Sequence, residues 1–267
     1  MSTPFDGLGV WVFDFGGEGT PLTEADADNY KGDKVDWIAV KVADFIGDTY
    51  TGGGEEVIKD IQAANKAGIA TIPWFFAEAH GPALSEQVAI TVAAAGGVPK
   101  GSRIIVDAES TLNVKELGEA LDGYVWACTT WGNPYTHPGA PSVGQLCDVG
   151  CTALLPQCYG AAWKMSASAA LEYMRTSFGA IAVPNLIPLL PVYDNTDVAN
   201  FAGLVKANGG KGVSAWRHGA PQSPTTVANA NVWWEAPPAP LPVPPAPEPV
   251  PTPVPPAAIQ ITVLDTI

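Results

Sequence analysis

Basic residues are scarce in this chain: 13 Lys and Arg stand against 27 Asp and Glu, a formal net charge of −14. Affinity for a phosphate backbone rests on clustered Lys and Arg, so this balance argues against nucleic acid as a partner and equally against an anionic membrane surface. Long apolar runs are missing too. None reaches the ~20 residues that cross a bilayer, so no membrane insertion is expected. The N-terminal Met-Ser-Thr-Pro-Phe-Asp has no basic flank leading into an apolar core. A conventional signal peptide is therefore not expected, and an extracellular or virion-associated location would need another export route. Histidine is sparse, with three residues in all. His80 and His218 lie in no H-x-H or H-E-x-x-H pattern that would converge with Asp14 on a metal, so neither a metal nor another cofactor is expected. There is no G-x-S-x-G elbow. Gly16-Gly17-Glu18-Gly19 lacks the spacing of a dinucleotide fingerprint. Of the four cysteines, Cys128 and Cys158 fall inside apolar runs and read as small buried residues. Cys147 and Cys151 flank a turn whose spacing permits, but does not require, a local disulfide.

What is present is a set of eight short apolar runs: 8–15, 35–43, 70–79, 103–109, 123–130, 153–159, 186–193 and 212–217. Most are continuous rather than alternating, which suits parallel strands covered by helices on their outer face. Between them lie segments of helical period at 55–67, 84–95, 114–121, 167–178 and 198–207. The stretches 23–30 and 142–148 are less periodic. Eight strands alternating with helices predict an α/β fold, a closed (β/α)8 TIM barrel over about residues 1–235.

In such barrels the chemistry gathers at the carboxyl ends of the strands. The fourth run, Arg103-Ile-Ile-Val-Asp-Ala-Glu109, ends in two carboxylates. Side chains two apart in a strand share a face, so Asp107 and Glu109 point the same way, with Cα atoms ~6.7 Å apart. Like charges at that range push one pKa up, and such a pair supplies the acid and the base, nucleophile or charge stabiliser of glycosidic bond cleavage. The other strand ends bring Asp14, Lys41, Trp74, Glu78, Trp131, Gln157, Tyr159, Asp194 and Trp216. Carboxylates mixed with aromatics suit a sugar site, because pyranose rings stack on indole faces. An acid at a strand end also serves as a helix N-cap or loop anchor.

The Asp107-Ala108-Glu109 pair resembles the D-x-E signature of family 25 glycoside hydrolases, the barrel lysozymes that cleave peptidoglycan. Asp14, the Lys41 strand, Trp74-Phe75-Phe76-Ala77 and Trp216-Arg217-His218 fall where that family places its first-strand aspartate, second-strand motif, aromatic third strand and closing motif. The resemblance spans about residues 8–219. Chitinase-like barrels of family 18 also end their fourth strand in D-x-E, but their additional upstream aspartate is replaced here by Ile105. The family 25 resemblance implies Glu109 as general acid, Asp107 positioning the substrate amide or water, and Asp14 stabilising positive charge. Lys41, Trp74, Glu78, Gln157, Tyr159, Asp194 and Trp216 would then contact the glycan. Two departures, Phe15-Gly16-Gly17-Glu18 after Asp14 and a late acid matched only by Asp194, keep a catalytically inactive sugar-binding or structural derivative in play.

Composition changes after Glu235. Residues 236–257 are proline-rich and predict an extended polyproline II linker. Residues 258–267 are β-branched and read as a terminal strand that pairs with a sheet edge of another subunit. The sequence thus points to a glycoside hydrolase-like barrel that cleaves or binds cell-wall or surface polysaccharide. Residues 237–267 would dock it onto neighbouring subunits of a virion (a phage particle, for example) or another surface assembly. The alternative is an attachment protein without turnover.

Overall fold

The computed structural model describes residues 3–15, 18–45, 51–133, 137, 139–159, 165–178, 186–191, 198–220 and 227–228. Eight strands run parallel: β1 (Gly7–Val12), β2 (Trp37–Asp44), β3 (Ala70–Phe76), β4 (Arg103–Asp107), β5 (Val125–Trp131), β6 (Ala153–Gln157), β7 (Leu189–Pro191) and β8 (Gly212–Trp216). Each pairs with the next in chain order. The ring closes because β1 also pairs with β8, Gly7 against Gly212 through Val10 against Ala215. Closure leaves no edge in the parallel wall, and this is the predicted barrel. Two short antiparallel pairs decorate the mouth, Asp14–Phe15 with Glu18–Gly19, and Thr51–Gly52 with the end of β2.

Seven helices lie among the described residues: α1 (Glu24–Gly32), α2 (Glu55–Lys66), α3 (Leu84–Ala94), α4 (Val114–Ala120), α5 (Val143–Asp148), α6 (Ala167–Phe178) and α7 (Val198–Ala207). The two least periodic segments, α1 and α5, are helical because their first turns are closed chemically. Thr23 accepts from the Asp26 N–H while Asp26 accepts from the Thr23 N–H, and Ser142 and Gln145 do the same for α5. Such capping boxes satisfy two orphan donors at once.

Strand alternation sorts the core into two clusters. Even-numbered β1 residues Leu8, Val10 and Val12 pack outward with Ile38, Val40, Ile104 and Val106 under the helices. Odd-numbered Trp11 and Phe13 face the lumen with Trp37, Ile72, Trp74, Ile105 and Leu155. The lumen is thus a packed core and not a pore. Gly9 is required here by close approach: a Cβ on it would lie 2.2 Å from the Trp37 ring. Cys128 and Cys158 are buried as expected, and all four cysteines are free thiols. The linker and terminal strand predicted for residues 236–267 lie outside the described residues.

Candidate active site

The carboxyl end of β4 delivers Asp107 into the lumen and carries Glu109 two residues further. Asp107 sits directly above Ile105, which is fully buried and offers no hydrogen bond from below. On the far side of β3, β2 is interrupted by a bulge between Lys41 and Ala43. The extra residue restores Asp44 to the lumen side, so that Lys41 and Asp44, both buried, form an ion pair and hydrogen bond. The Lys41 ammonium also lies 4.7 Å from the Phe13 ring centroid and 5.1 Å from that of Trp74. Gln157, at the end of β6, donates to Glu109 Oε1. Trp131, at the end of β5, donates from Nε1 to the Glu109 carbonyl at 3.1 Å and stacks on His137 with centroids 4.0 Å apart.

These contacts set the charges. Burial pushes the Asp107 carboxyl well above the ordinary carboxylate range; the Glu109 charge adds to this, Lys41 opposes it and Asp44 adds again. Burial also raises Glu109, but the hydrogen bond from Gln157, the positive side of His137, a hydrogen bond from Asp107 and Lys41 all pull it back. Burial thus disfavours two charges here, and Asp107, the more deeply buried, is the more strongly raised of the two. Four lumen-side polar atoms, Asp107 Oδ1, Trp11 Nε1, Trp74 Nε1 and Thr129 Oγ1, have no hydrogen-bond partner among the described residues. Buried groups of this kind are costly unless something supplies their partners.

Around this pair the structure assembles Lys41, Trp74, Gln157 and Trp216. The Trp11, Trp74 and Trp216 rings pack edge-on at 5.2 to 6.0 Å. Tyr159 lies half-exposed just beyond β6. Glu78 is placed otherwise: its Oε1 accepts from the Ala79 N–H at 2.7 Å and from Ser110 at 3.4 Å, bracing the loop after β3 against the loop after β4. Asp14 does not converge with the pair. Strand parity puts Phe13 on the lumen side and Asp14 on the other, where its electrostatic neighbours are Glu56, Asp60 and His218. Asp194 lies outside the described residues. His80 is exposed, and His218 is buried between Tyr30 and Pro21. No group of metal-ligating side chains forms among the described residues.

Sequence reasoning placed Asp44 at the end of the second strand but passed over Trp11 and Phe13, Thr129 and His137. Alternation in β1 contained the first two, once the odd register is chosen over the even one. The bulge hid the pairing of Asp44 with Lys41, and a loop that no periodicity places hid His137.

The sequence matches no protein-family model and no curated protein. Solved structures share its architecture. A family 18 N-acetylglucosaminidase from Paenibacillus barengoltzii aligns with a TM-score of 0.60 at 9% identity, covering 85% of this chain and 99% of that one. A class V chitinase from Pseudomonas fluorescens gives 0.59 at 11% identity over 84% and 99%. A chitinase-like agglutinin from Robinia pseudoacacia gives 0.55 at 10% identity over 85% and 99%. At such identities the likeness is one of fold, that of a (β/α)8 barrel. These neighbours are chitinase-like, whereas the sequence motifs pointed to family 25. The D-x-E pair ends the fourth strand in both barrel families, so a motif that short does not separate them.

Proposed function

We propose that the chain is a glycoside hydrolase-like barrel acting on an N-acetylhexosamine polysaccharide of a cell wall or surface, with Glu109 as general acid and Asp107 as its partner. The observation that carries this reading is the Asp107–Glu109 pair at the carboxyl end of β4, with Asp107 buried and Glu109 held by Gln157. To protonate a leaving glycosidic oxygen, Glu109 gives up a proton, and the neighbouring Asp107 offers a carboxyl group within the same site to share it. The Asp107 anion is stabilised by Lys41 and accepts a hydrogen bond from the substrate amide. Trp74 and Trp216 bound the sugar ring, and Gln157 holds Glu109 in place. Neighbours of this fold include an N-acetylglucosaminidase and a class V chitinase in complex with an N-acetylglucosamine tetramer.

A second reading, glycan binding without turnover, is favoured by two observations. The Robinia neighbour is an agglutinin on the same fold, and the third acid expected at the site, Asp14, faces away. Hydrolysis of N-acetylglucosamine tetramer, chitin, peptidoglycan and capsular glycans separates the two readings. Release lost by about a thousand-fold in Glu109→Gln supports the enzyme. Binding with no release from any substrate leaves the attachment role.

The same proposal assigns residues 237–267, on their composition, to docking on neighbouring subunits of a virion or other surface assembly. Deleting residues 237–267 is expected to leave a folded barrel that no longer incorporates. Loss of the barrel fold on deletion would count against that assignment.

A further inference from the structure

Arg217 follows the last residue of β8, and its guanidinium lies 4.9 Å from the Phe13 ring centroid and 5.9 Å from that of Trp216. A guanidinium presents five N–H donors in one rigid plane. Among the described residues, no carboxylate, carbonyl or hydroxyl accepts from any of them. In a chain with 27 acidic residues against 13 basic ones, that is not for want of available partners. Arg217 is among the residues lining a cavity of about 390 Å³, with Gly19, Thr20, Trp216, His218 and Gly219. The loop after β8 is pressed against Thr20 there: Gly219 has φ of +79°, and a Cβ on it would lie 2.2 Å from Thr20 Oγ1. Trp216 is common to this cavity and to the mouth, where its ring meets Trp74 at 5.8 Å. Lys41 stands over the same Phe13 ring at 4.7 Å, so with Arg217 at 4.9 Å the two cations lie no more than 9.6 Å apart.

A guanidinium fixed on aromatic faces is pre-organised for bidentate binding of a carboxylate, and the indole beside it suits the apolar face of a pyranose. We infer that this cavity takes a carboxylate-bearing sugar residue of the polysaccharide, bound through the Arg217 N–H fork and packed on Trp216. The inference rests on the proposed glycan-directed site and narrows its substrate class from neutral to acidic glycans. His218 does not compete for the role, since Nδ1 meets the Tyr30 hydroxyl at 2.8 Å and Nε2 the Pro21 carbonyl at 3.1 Å. Two acids, Asp14 and Asp26, stand near His218, Asp26 with Oδ2 3.9 Å from Nε2. Their charge and the negative protein as a whole disfavour any anion not held directly, which makes Arg217 decisive.

The test uses the full chain carrying Glu109→Gln to prevent turnover, with tryptophan fluorescence as readout. Probes are an alternating N-acetylglucosamine–N-acetylmuramic acid tetrasaccharide, its methyl ester and the neutral N-acetylglucosamine tetramer. A glucuronic acid oligosaccharide and its ester form a second arm, distinguishing an ether-linked from a ring-attached carboxylate; preference for either acid supports the inference. The free acid is expected to bind about ten-fold or more tighter than its ester. That ratio is expected to fall to near one in Arg217→Met and to survive in part in Arg217→Lys. A ratio near one in both arms with Arg217 intact overturns the inference without need of a variant, as does a ratio that survives Arg217→Met. If the neutral tetramer binds with no preference for acid, the glycan reading stands and this inference alone falls. If no probe binds, both fall.

Discussion

Gln157 and Glu109 meet across the mouth of the barrel: a carboxamide at the end of β6 donates to Oε1 of an acid two residues beyond β4, with β5 lying between the two strands. The bond favours the ionised acid and so opposes the burial that raises its pKa. Removing it in Gln157→Met is expected to let Glu109 keep its proton to higher pH. The alkaline limb of the pH–rate profile should move upward, with a lower kcat. An unmoved or downward-shifted limb would mean that Gln157 does not tune this acid.

Lys41 and Asp44 are expected to behave as a unit. Each is buried with the other as its charge partner, and breaking a buried pair from one side strands the remaining charge. Lys41→Met is predicted to cost about 3 kcal/mol in urea denaturation. The double variant Lys41→Met/Asp44→Asn should cost less than the sum of the singles, by a double-mutant cycle. Strict additivity would show that the pair does not couple.

Asp60 governs part of the pH dependence of stability. Its side chain is fully buried on α2; Oδ1 accepts from the Leu22 N–H at 2.7 Å, and Oδ2 has no partner among the described residues. Burial pushes its pKa up to about 7. The folded protein thus holds a proton that the unfolded chain releases near pH ~3.9, so this group's favourable contribution is full below that pH and is lost as pH rises through about 7. Asp60→Asn keeps the acceptor for Leu22 and removes the titration. It is expected to flatten the fall in stability from pH ~4 to 7 and to gain about 2 kcal/mol at pH 8. Equal slopes for the variant and the parent between those pH values would contradict the assignment.

Gly9→Ala tests the lumen packing. Its Cβ would collide with the Trp37 ring at 2.2 Å, and the Trp37 Nε1 is held at 3.1 Å by the Phe5 carbonyl. Overpacking of this kind costs about 1–3 kcal/mol. A lower thermal midpoint with changed tryptophan fluorescence is expected, and an unchanged midpoint would show that Trp37 has room to yield.

The eight strands were readable because each is an apolar run bounded by turns, and burial of that much apolar surface permits few arrangements besides a ring covered by helices. The Asp107–Glu109 pair was readable for a similar reason: a period of two is a local property of strand backbone. The helices after β1 and β5 were harder to read, although Thr23–Asp26 and Ser142–Gln145 were in plain view as caps; a hydrogen-bonded first turn compensated for weak amphipathicity.

Local pattern thus determined the number of strands, their order and the acids that end the fourth. Tertiary structure alone decided which face of β1 looks inward, sending Asp14 out and Trp11 and Phe13 in. It also decided that a bulge returns Asp44 to the side of Lys41, and that Arg217 comes to rest on Phe13. The reason is physical: alternation says that two residues share a face but not which face it is. Only closing the ring, with one set of side chains packed inside and the other under the helices, breaks that symmetry.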